Sequence, residues 1–570
     1  MFVYLFEVNS IQSYLFKSGK LKDLISASER LDQLIDDSES SVLATVIKAA
    51  NLETDLIQDS NSSDAIHFLR CKGGAFYCYA ENCQPLVELR ALWTLTLEQL
   101  FPSLKYSDAI NEGSTLITAI DNAHISLASA QNTPSIKLPQ ATAPTKRYIN
   151  TGDVSICAAK DLIRFGESDL DADTACHREA MQSLKSQKQR NLASKFIPDN
   201  IAQLDFPINI EEDFKFSEVA DAAIKDIALV HIDGNGLGIL LMALKSALKD
   251  QSEHEIKACF RAFSTAINEA TISAAKQATQ YIYNNAKYTL DSDTEHNMMV
   301  PIRPIVLGGD DITLLCRADL ALTFCQIFCK EFKTATETQL APTFKEYLSN
   351  SELKPYLTAS GGILYHKTGH PFTNSHRLVE DLCELAKKRT KSFNIASTEV
   401  GPSALAFHRL SNSVSDSYEE IAQRELTFTN SDEVYTTSLA AYLIDESEAD
   451  SPFSLENLKA LEKLSAQTNS VMPMSRWRTM AGLISKGDFT EANRVFQRGC
   501  ALANEAKVRE LNGLIDAMFP TDYKRQSWYW TDPKTNQNIT FINDLLILHH
   551  FKHVQENNGH ASTDKEDQHA

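Results

Sequence analysis

The sequence predicts an α+β protein with two similar α/β units, a small domain between them and a helical domain after them. Each unit, residues 1–130 and residues 221–400, is predicted to begin with a strand. A helix follows, then a pair of strands joined by Gly-Gly, and then a further helix. The two turns are Gly73-Gly74 and Gly308-Gly309. Beyond residue 400 the apolar residues recur mostly at helical spacing. The shared order of elements indicates an internal duplication.

The first unit follows from short apolar runs and turn residues. Residues 2–8 are apolar and β-prone and predict the first strand, whereas residues 21–35 predict a helix. Residues 65–69 and 75–79 flank the Gly73 turn and predict a hairpin without acidic residues at its tip. Residues 85–100 predict another helix.

The second unit begins at the apolar run 227–233 and continues through a glycine loop and long helices to the Gly308 hairpin. Its later elements are a helix over 320–332, a strand over 357–365 and a helix over 375–388. This order of elements matches that of the first unit around each hairpin.

Three other regions complete the predicted organisation. Residues 131–220 form a linker and a small helical domain, because residues 131–150 are rich in Pro, Thr, Ala and Gln. Residues 401–555 form the C-terminal helical domain. Residues 556–570 are polar and predict a disordered tail.

Composition narrows the class of protein. Hydrophobic residues make up 43% and charged residues 23% of the 570 residues, as in ordinary globular proteins. A net charge of −20 argues against broad nucleic-acid binding, which needs a dominant positive surface. No apolar run approaches the roughly 20 residues of a membrane span. The 11 scattered cysteines fit a reducing cytoplasm.

The most informative motif is Gly308-Gly309-Asp310-Asp311, which lies between two apolar runs. Adjacent aspartates at a hairpin tip repel each other, and a divalent cation would remove this conflict. Nucleotide-polymerising sites hold Mg²⁺ or Mn²⁺ on carboxylates arranged in this way. The motif therefore predicts a cation site on Asp310 and Asp311, with the two glycines giving room for a nucleotide.

A second segment places a carboxylate before a glycine loop: Asp233, Gly234, Asn235 and Gly236. A dinucleotide-binding turn fits poorly, because the third glycine comes one residue early. A calcium loop would need glutamate where Leu244 stands. As a metal ligand, Asp233 would face Asp310 and Asp311 from a neighbouring strand, while the loop would contact phosphates. Two cations on three carboxylates then explain both segments, and the alternative is two ordinary polar turns.

Two further segments suit a nucleotide site. Ser360-Gly361-Gly362 lacks bulk, so that a base or ribose could lie against it, although close packing of strand on helix explains it equally well. Lys387 ends a helix and could bind a triphosphate, although a basic residue there also complements the helix dipole.

The cysteines do not predict a zinc site. Cys157, Cys176 and His177 supply at most half of a ligand set, and no C-x-x-C lies near them. Zinc is therefore not expected.

These motifs resemble those of the large, polymerase-like subunit of type III CRISPR effector complexes, a family related to GGDEF and adenylyl cyclase palm domains. Gly308-Gly309-Asp310-Asp311 matches its Gly-Gly-Asp-Asp hairpin, and Asp233 matches the partner carboxylate. Ser360-Gly361-Gly362 and the helix ending at Lys387 are similar to later palm elements. The turn at Gly73 is similar to the hairpin of the family's non-catalytic first palm. The likeness covers residues 1–395.

The resemblance implies two ferredoxin-like palm domains, of which the second is catalytic. It also implies synthesis of a nucleotide second messenger from ATP, usually cyclic oligoadenylate, in a complex with other subunits, guide RNA and target RNA. Some relatives join AMP to S-adenosylmethionine instead. The N-terminal nuclease domain of many relatives is not expected here, and the family's zinc-ribbon cysteines are reduced to Cys157 and Cys176.

The leading hypothesis is a nucleotidyltransferase that uses Asp233, Asp310 and Asp311 with two Mg²⁺ or Mn²⁺ ions. A catalytically silent scaffold subunit and a stand-alone dinucleotide cyclase are the alternatives. The residues leave the product, the second substrate and the need for target RNA open.

Overall fold

The computed structural model describes the following residues: 1–56, 62, 64–133, 144–156, 162–163, 169–186, 191–201, 204–208, 226–286, 299–349, 351, 353–393, 400–411, 417–430 and 433–563. No helix within these ranges is both long enough and apolar enough to cross a bilayer.

Where the structure describes it, the first unit is a four-stranded antiparallel sheet with five α-helices. Its strands are β1 Phe2–Asn9, β2 His67–Lys72, β3 Ala75–Ala80 and β4 Lys105–Glu112. Its helices are α1 Ile11–Leu15, α2 Leu21–Asp32, α3 Val42–Ala49, α4 Cys83–Leu100 and α5 Leu116–Gln131. The strand order is β2-β3-β1-β4. Gly73 and Gly74 join β2 to β3 with φ of 66° and 74°, the left-handed values that favour glycine in a two-residue hairpin, so the predicted hairpin is confirmed.

A small region follows the first unit. Its described residues form a two-stranded pair and two helices: β5 Ser155–Ile156, β6 Leu170–Asp171, α6 Ala172–Ser186 and α7 Asn191–Ser194. Cys157 lies outside the described residues. The strands were not predicted, because a pair of two-residue strands leaves no periodic signal in the sequence.

The second unit is built on a six-stranded sheet. The strands that follow the small region are β7 Asp226–Asn235, β8 Ile302–Gly308, β9 Asp311–Arg317, β10 Thr358–Lys367, β11 Ala404–Arg409, β12 Thr427–Asn430, β13 Glu433–Thr436 and β14 Ala441–Leu443. The helices over this stretch are α8 Leu237–Ala247, α9 Glu253–Ala286, α10 Ala318–Tyr347, α11 Phe372–Ser392 and α12 Tyr418–Ile421. The strand order in the sheet is β14-β11-β10-β7-β9-β8, which places β7 between β10 and β9.

The two units share two hydrophobic cores. Alternate residues of β7 face opposite sides of the sheet, so that Val230 contributes to one core and Leu229 to the other. On β1, Leu5 joins the Val230 core and Phe6 joins the Leu229 core. Burial on both faces explains why residues 227–232 are apolar at every position except His231. The shared cores hold the two sheets in a fixed relation at the site.

The C-terminal region is mainly helical, as predicted, but it also contains strands. Its helices are α13 Leu455–Ala466, α14 Met474–Ile484, α15 Phe489–Ala501, α16 Glu505–Ala517 and α17 Ile542–Thr563. Three further strands are β15 Lys524–Arg525, β16 Trp530–Thr531 and β17 Asn538–Ile539, in a sheet of order β12-β13-β17-β16-β15. The mixed architecture agrees with the predicted α+β class.

The predicted domain limits stay predictions. β11 pairs in parallel with β10, so the second sheet continues past residue 400. Helix α17 reaches Thr563, within the predicted tail, and residues 564–570 lie outside the described residues.

Candidate active site

Three aspartates converge where β7 meets the hairpin of β8 and β9. Asp233 lies opposite Asp311 in the antiparallel register of β7 with β9. Gly308 pairs with Asp311, which leaves Gly309 and Asp310 at the tip of the predicted hairpin. The Gly234 N–H donates to the carbonyl oxygen of Asp310 over 3.1 Å. The strand register therefore brings the three predicted ligands to one end of the sheet.

Glycine at position 234 makes room for the Asp310 carboxylate. A Cβ there would lie 2.7 Å from Asp310 Oδ2 and 2.9 Å from its Cβ, closer than real side-chain contacts allow. The neighbouring strand therefore restricts where the carboxylate can lie.

Changing Gly234 to alanine is expected to displace the Asp310 carboxylate. The predicted nucleotidyltransferase activity should then fall by roughly 10- to 100-fold, because small misplacements at a reacting centre have effects of this size. Circular dichroism and thermal unfolding should remain close to those of the wild type. Gly238→Ala is the matched control, because nothing lies within 4 Å of a Cβ at that position. Equal effects of the two substitutions would contradict this role for Gly234.

The acids are electrostatically unfavourable without a cation. Burial raises the pKa of Asp310 to about 7, and the negative charges of Asp233 and Asp311 add to this effect. Burial and Asp233 likewise raise the pKa of Asp311 to about 7. All-oxygen ligands suit Mg²⁺ or Mn²⁺, and a divalent ion would offset this repulsion. The residues present therefore fit the predicted cations.

Two side chains from other elements contact the acids. Lys387, on α11, forms an ion pair with Asp233 with Nζ 2.5 Å from Oδ2. Burial is the largest single influence on the pKa of Lys387 and lowers it, but the charge and hydrogen bond of Asp233, together with nearby charges such as that of Asp310, raise the pKa by more in total, so the ammonium stays charged. From α1 of the first unit, Gln12 Nε2 donates to Asp311 Oδ2 over 3.4 Å.

The hairpin of the first unit lies directly against the hairpin of the second. A Cβ on Gly73 would be 3.2 Å from the backbone nitrogen of Gly309 and 3.5 Å from Arg70 Nη2. On the other side, the Thr271 hydroxyl of α9 donates to the Gly309 carbonyl over 2.6 Å. Both units therefore fix the turn that carries Asp310.

Cavities lie on both sides of the paired hairpins. One, of about 360 Å³, includes Arg70, Gly309 and Asp310 in its lining. The other, of about 180 Å³, includes Gln12 and Asp311. The acids thus border space in which substrates could bind.

Comparison with protein families matches residues 226–395 to Cas10/Cmr2, second palm domain. The chain contains a Cas10/Cmr2 second palm domain. The matched segment spans β7, the acidic hairpin and α11, which carry the site. A search of curated proteins gave no match.

Several solved structures are also similar to the chain. A Csm1–Csm4 cassette in complex with cA3 has 14% identity and a TM-score of 0.37, with 68% of this chain and 53% of that chain covered. A Csm1–Csm4 cassette in complex with pppApApA has 12% identity and a TM-score of 0.46, with coverage of 97% and 69%. Csm1 in T.onnurineus has 13% identity and a TM-score of 0.40, with coverage of 91% and 70%. The chain thus spans about half of the first of these, 53%.

Other predicted nucleotide contacts lie inside the palm sheet. Ser360 is fully buried, and the Asn235 amide donates to Ser360 Oγ over 2.9 Å. A Cβ on Gly361 would lie 2.9 Å from Ile232 Cγ1. These positions favour the packing alternative for Ser360 and Gly361, because neither side of the strand is open to a ligand there. Gly236 caps α8 with φ of 90°, a left-handed conformation that favours glycine.

The structure leaves His177 no free nitrogen for zinc. Its Nδ1 lies 2.7 Å from an Arg30 guanidinium nitrogen, which can only donate, and its Nε2 lies 3.1 Å from the Tyr14 hydroxyl. Burial lowers the pKa of His177 well below its ordinary value. Cys176 is a half-buried free thiol beside it.

A second acidic group was missed in the sequence because its members come from separate elements. Ligand atoms of Asp153, Asp171 and Asp173 lie within 4.8 Å of one another, so this group could hold a metal ion. Asp233, Asp310 and Asp311 are not grouped this closely in the described part of the chain. Each member of the second group already has a protein partner: Lys17 pairs with Asp153, Thr174 binds Asp171, and Tyr14 binds Asp173.

Proposed function

We propose that the protein is a nucleotidyltransferase that joins ATP molecules into a nucleotide second messenger, a cyclic oligoadenylate, through 3′–5′ phosphodiester bonds. It acts as the large subunit of a type III CRISPR RNA-guided complex. Catalysis resides in the second palm, where the acids lie, and the first palm supports it.

The observation that carries this proposal is the meeting of Asp233, Asp310 and Asp311 beside open cavities, within a segment matched to the Cas10/Cmr2 second palm. A scaffold without activity would not require three acids at one sheet edge. The raised pKa values of Asp310 and Asp311 indicate a site whose charges are balanced by something bound.

Asp233, Asp310 and Asp311 would hold two Mg²⁺ or Mn²⁺ ions. When bound, such ions lower the pKa of an attacking ribose hydroxyl and neutralise charge on the reacting phosphate. Gly308 and Gly309 carry no side chain that would exclude a nucleotide from the turn. Lys387, already at Asp233, is placed to bind phosphate oxygens once cations occupy the acids.

Mass spectrometry of ATP reaction products tests the proposal. The full-length protein, alone and assembled with partner subunits and guide RNA, is incubated with ATP and Mn²⁺, with or without matching target RNA. We expect cyclic oligoadenylates from the assembled complex when target RNA is present. The Asp233→Asn protein, assembled in the same way, serves as the control for contaminating activity.

The outcomes separate the alternatives. Guide-dependent assembly without ATP turnover would overturn the proposal in favour of a scaffold. Product from the isolated protein, independent of RNA, would indicate a stand-alone cyclase. A product formed only after S-adenosylmethionine is added would replace oligoadenylate with an AMP conjugate.

A further inference from the structure

The larger cavity lies between the two palms and contains part of the acidic hairpin. Apolar side chains from α8 and α9 form much of its wall, among them Leu241, Phe260 and Phe263. Gly309 and Asp310 lie at one end. Its volume, about 360 Å³, falls in the range of small-molecule sites. The cavity therefore joins an apolar surface to the charged hairpin.

Among the described residues, three cationic side chains line this cavity, and two of them are already paired. Lys72 Nζ lies 3.3 Å from Asp37 Oδ2. Lys245 pairs with Asp121. Around Arg70, by contrast, the described residues place no carboxylate within the 4.0 Å of a salt bridge. Its guanidinium instead packs over the Tyr77 ring, 5.8 Å from the centroid.

The Arg70 guanidinium points toward the catalytic turn. Its Nη2 would be 3.8 Å from a Cβ on Gly309 and 3.5 Å from a Cβ on Gly73, so it lies where the two hairpins meet. Arg70 is half-buried, and its charge lowers the pKa of both Asp310 and Asp311. The first palm thus holds the guanidinium of Arg70 beside the acids, and no ion pair with a described carboxylate neutralises its charge.

We propose that Arg70 is a phosphate-binding residue of the second palm's site, supplied by the first palm. The ligand is a nucleoside triphosphate, and this inference rests on the proposed function. The planar guanidinium can donate two parallel hydrogen bonds to one phosphate, which a lysine cannot do. A base would then lie on the apolar wall. Lys387 binds the same triphosphate from α11, so that the two basic side chains, Arg70 and Lys387, approach it from different palms.

Binding measurements on the full-length protein test this assignment without depending on turnover. Isothermal titration calorimetry in Mg²⁺ uses an ATP analogue with a methylene between the α- and β-phosphates, which cannot react. Adenosine, without phosphate, is the second ligand. The first variant, Arg70→Met, removes the charge from an unbranched side chain. The second, Arg70→Lys, keeps the charge but removes the planar group that can donate two parallel hydrogen bonds.

We expect Arg70→Met to weaken binding of the analogue by about 10- to 100-fold and to leave adenosine affinity within about twofold. Arg70→Lys should show an intermediate loss. Lys72→Met is the control, because Lys72 lines the same cavity but is paired with Asp37. It should change analogue binding by less than about threefold.

Three results would overturn the assignment. Unchanged analogue affinity in Arg70→Met, with normal wild-type binding, would remove Arg70 from the site and leave the proposed function standing. Equal losses for analogue and adenosine in both Arg70 variants would show a packing role only. No metal-dependent binding of the analogue by the wild type would overturn the proposed function as well.

Discussion

Replacing Asp310 and Asp311 together by asparagine is expected to abolish product formation from ATP while stabilising the metal-free protein. Asparagine keeps the shape of each side chain and removes the two charges that burial and Asp233 make unfavourable. Two of three proposed cation ligands are lost, so kcat/KM should fall by at least about 10³-fold. Opposite effects on activity and stability are typical of groups held in a strained functional site.

The gain in stability should depend on pH. The pKa of both acids is about 7 when folded, against 3.8 for an ordinary aspartate, so the folded protein holds more protons between these values. The stability that these acids contribute is therefore fully present below about pH 4 and is lost as pH rises through about 7. Relative to the wild type, the free energy of unfolding of the variant should rise from pH 5 to pH 8. The gain at pH 8 should be at least about 2 kcal/mol.

Urea denaturation in EDTA, repeated at several pH values, measures this difference. A matched control replaces Asp199 and Asp516, which are 88% and 55% exposed and paired with surface cations, by asparagine. It changes the net charge equally and should show no such pH dependence. Mg²⁺ should raise the Tm of the wild type and of the control but not that of the double variant. A double variant that still makes product would disprove the site.

The part of the site that lies on the Gly308 hairpin and on the strand ending at Asp233 could be predicted from the sequence. Apolar runs on either side of Gly308-Gly309 predicted the hairpin, and the run ending at Asp233 predicted its neighbouring strand. Strand pairing then brings Asp233 opposite Asp311. These are local patterns whose consequence is fixed by the geometry of a sheet.

The contributions of the first palm could not be predicted in this way. Arg70 and Gln12 reach the hairpin because two sheets share their cores, and no periodic pattern records such packing. Nor does a sequence show which glycines are buried, so that Ser360 and Gly361 read equally well as a ligand surface. The run 404–409 is too short to separate strand from helix by periodicity, yet it pairs with β10.

Changing Lys387 to methionine is expected to affect metal and nucleotide binding in opposite directions. In the structure Lys387 neutralises Asp233, which the proposed cations would need as a ligand. A cation must therefore displace the ammonium before it can use that carboxylate. Without nucleotide, the variant should bind Mn²⁺ about 3- to 10-fold more tightly, since the competing ion pair is gone. With ATP, it should lose roughly 10- to 100-fold in kcat/KM, because a charged hydrogen bond to phosphate is missing.

Mn²⁺ titration followed by electron paramagnetic resonance, together with steady-state kinetics, separates these effects. Lys388→Met is the matched control, because Lys388 is the next residue on α11 and is exposed. Structural damage by the substitution would weaken the binding of both Mn²⁺ and ATP. Loss of the lysine should instead strengthen Mn²⁺ binding, because Asp233 is released, and weaken ATP binding. Tighter Mn²⁺ binding with an unchanged KM for ATP would show that Lys387 competes with cations for Asp233 but does not bind phosphate. Weaker Mn²⁺ binding would contradict that competition, because methionine cannot compete with a cation for the carboxylate.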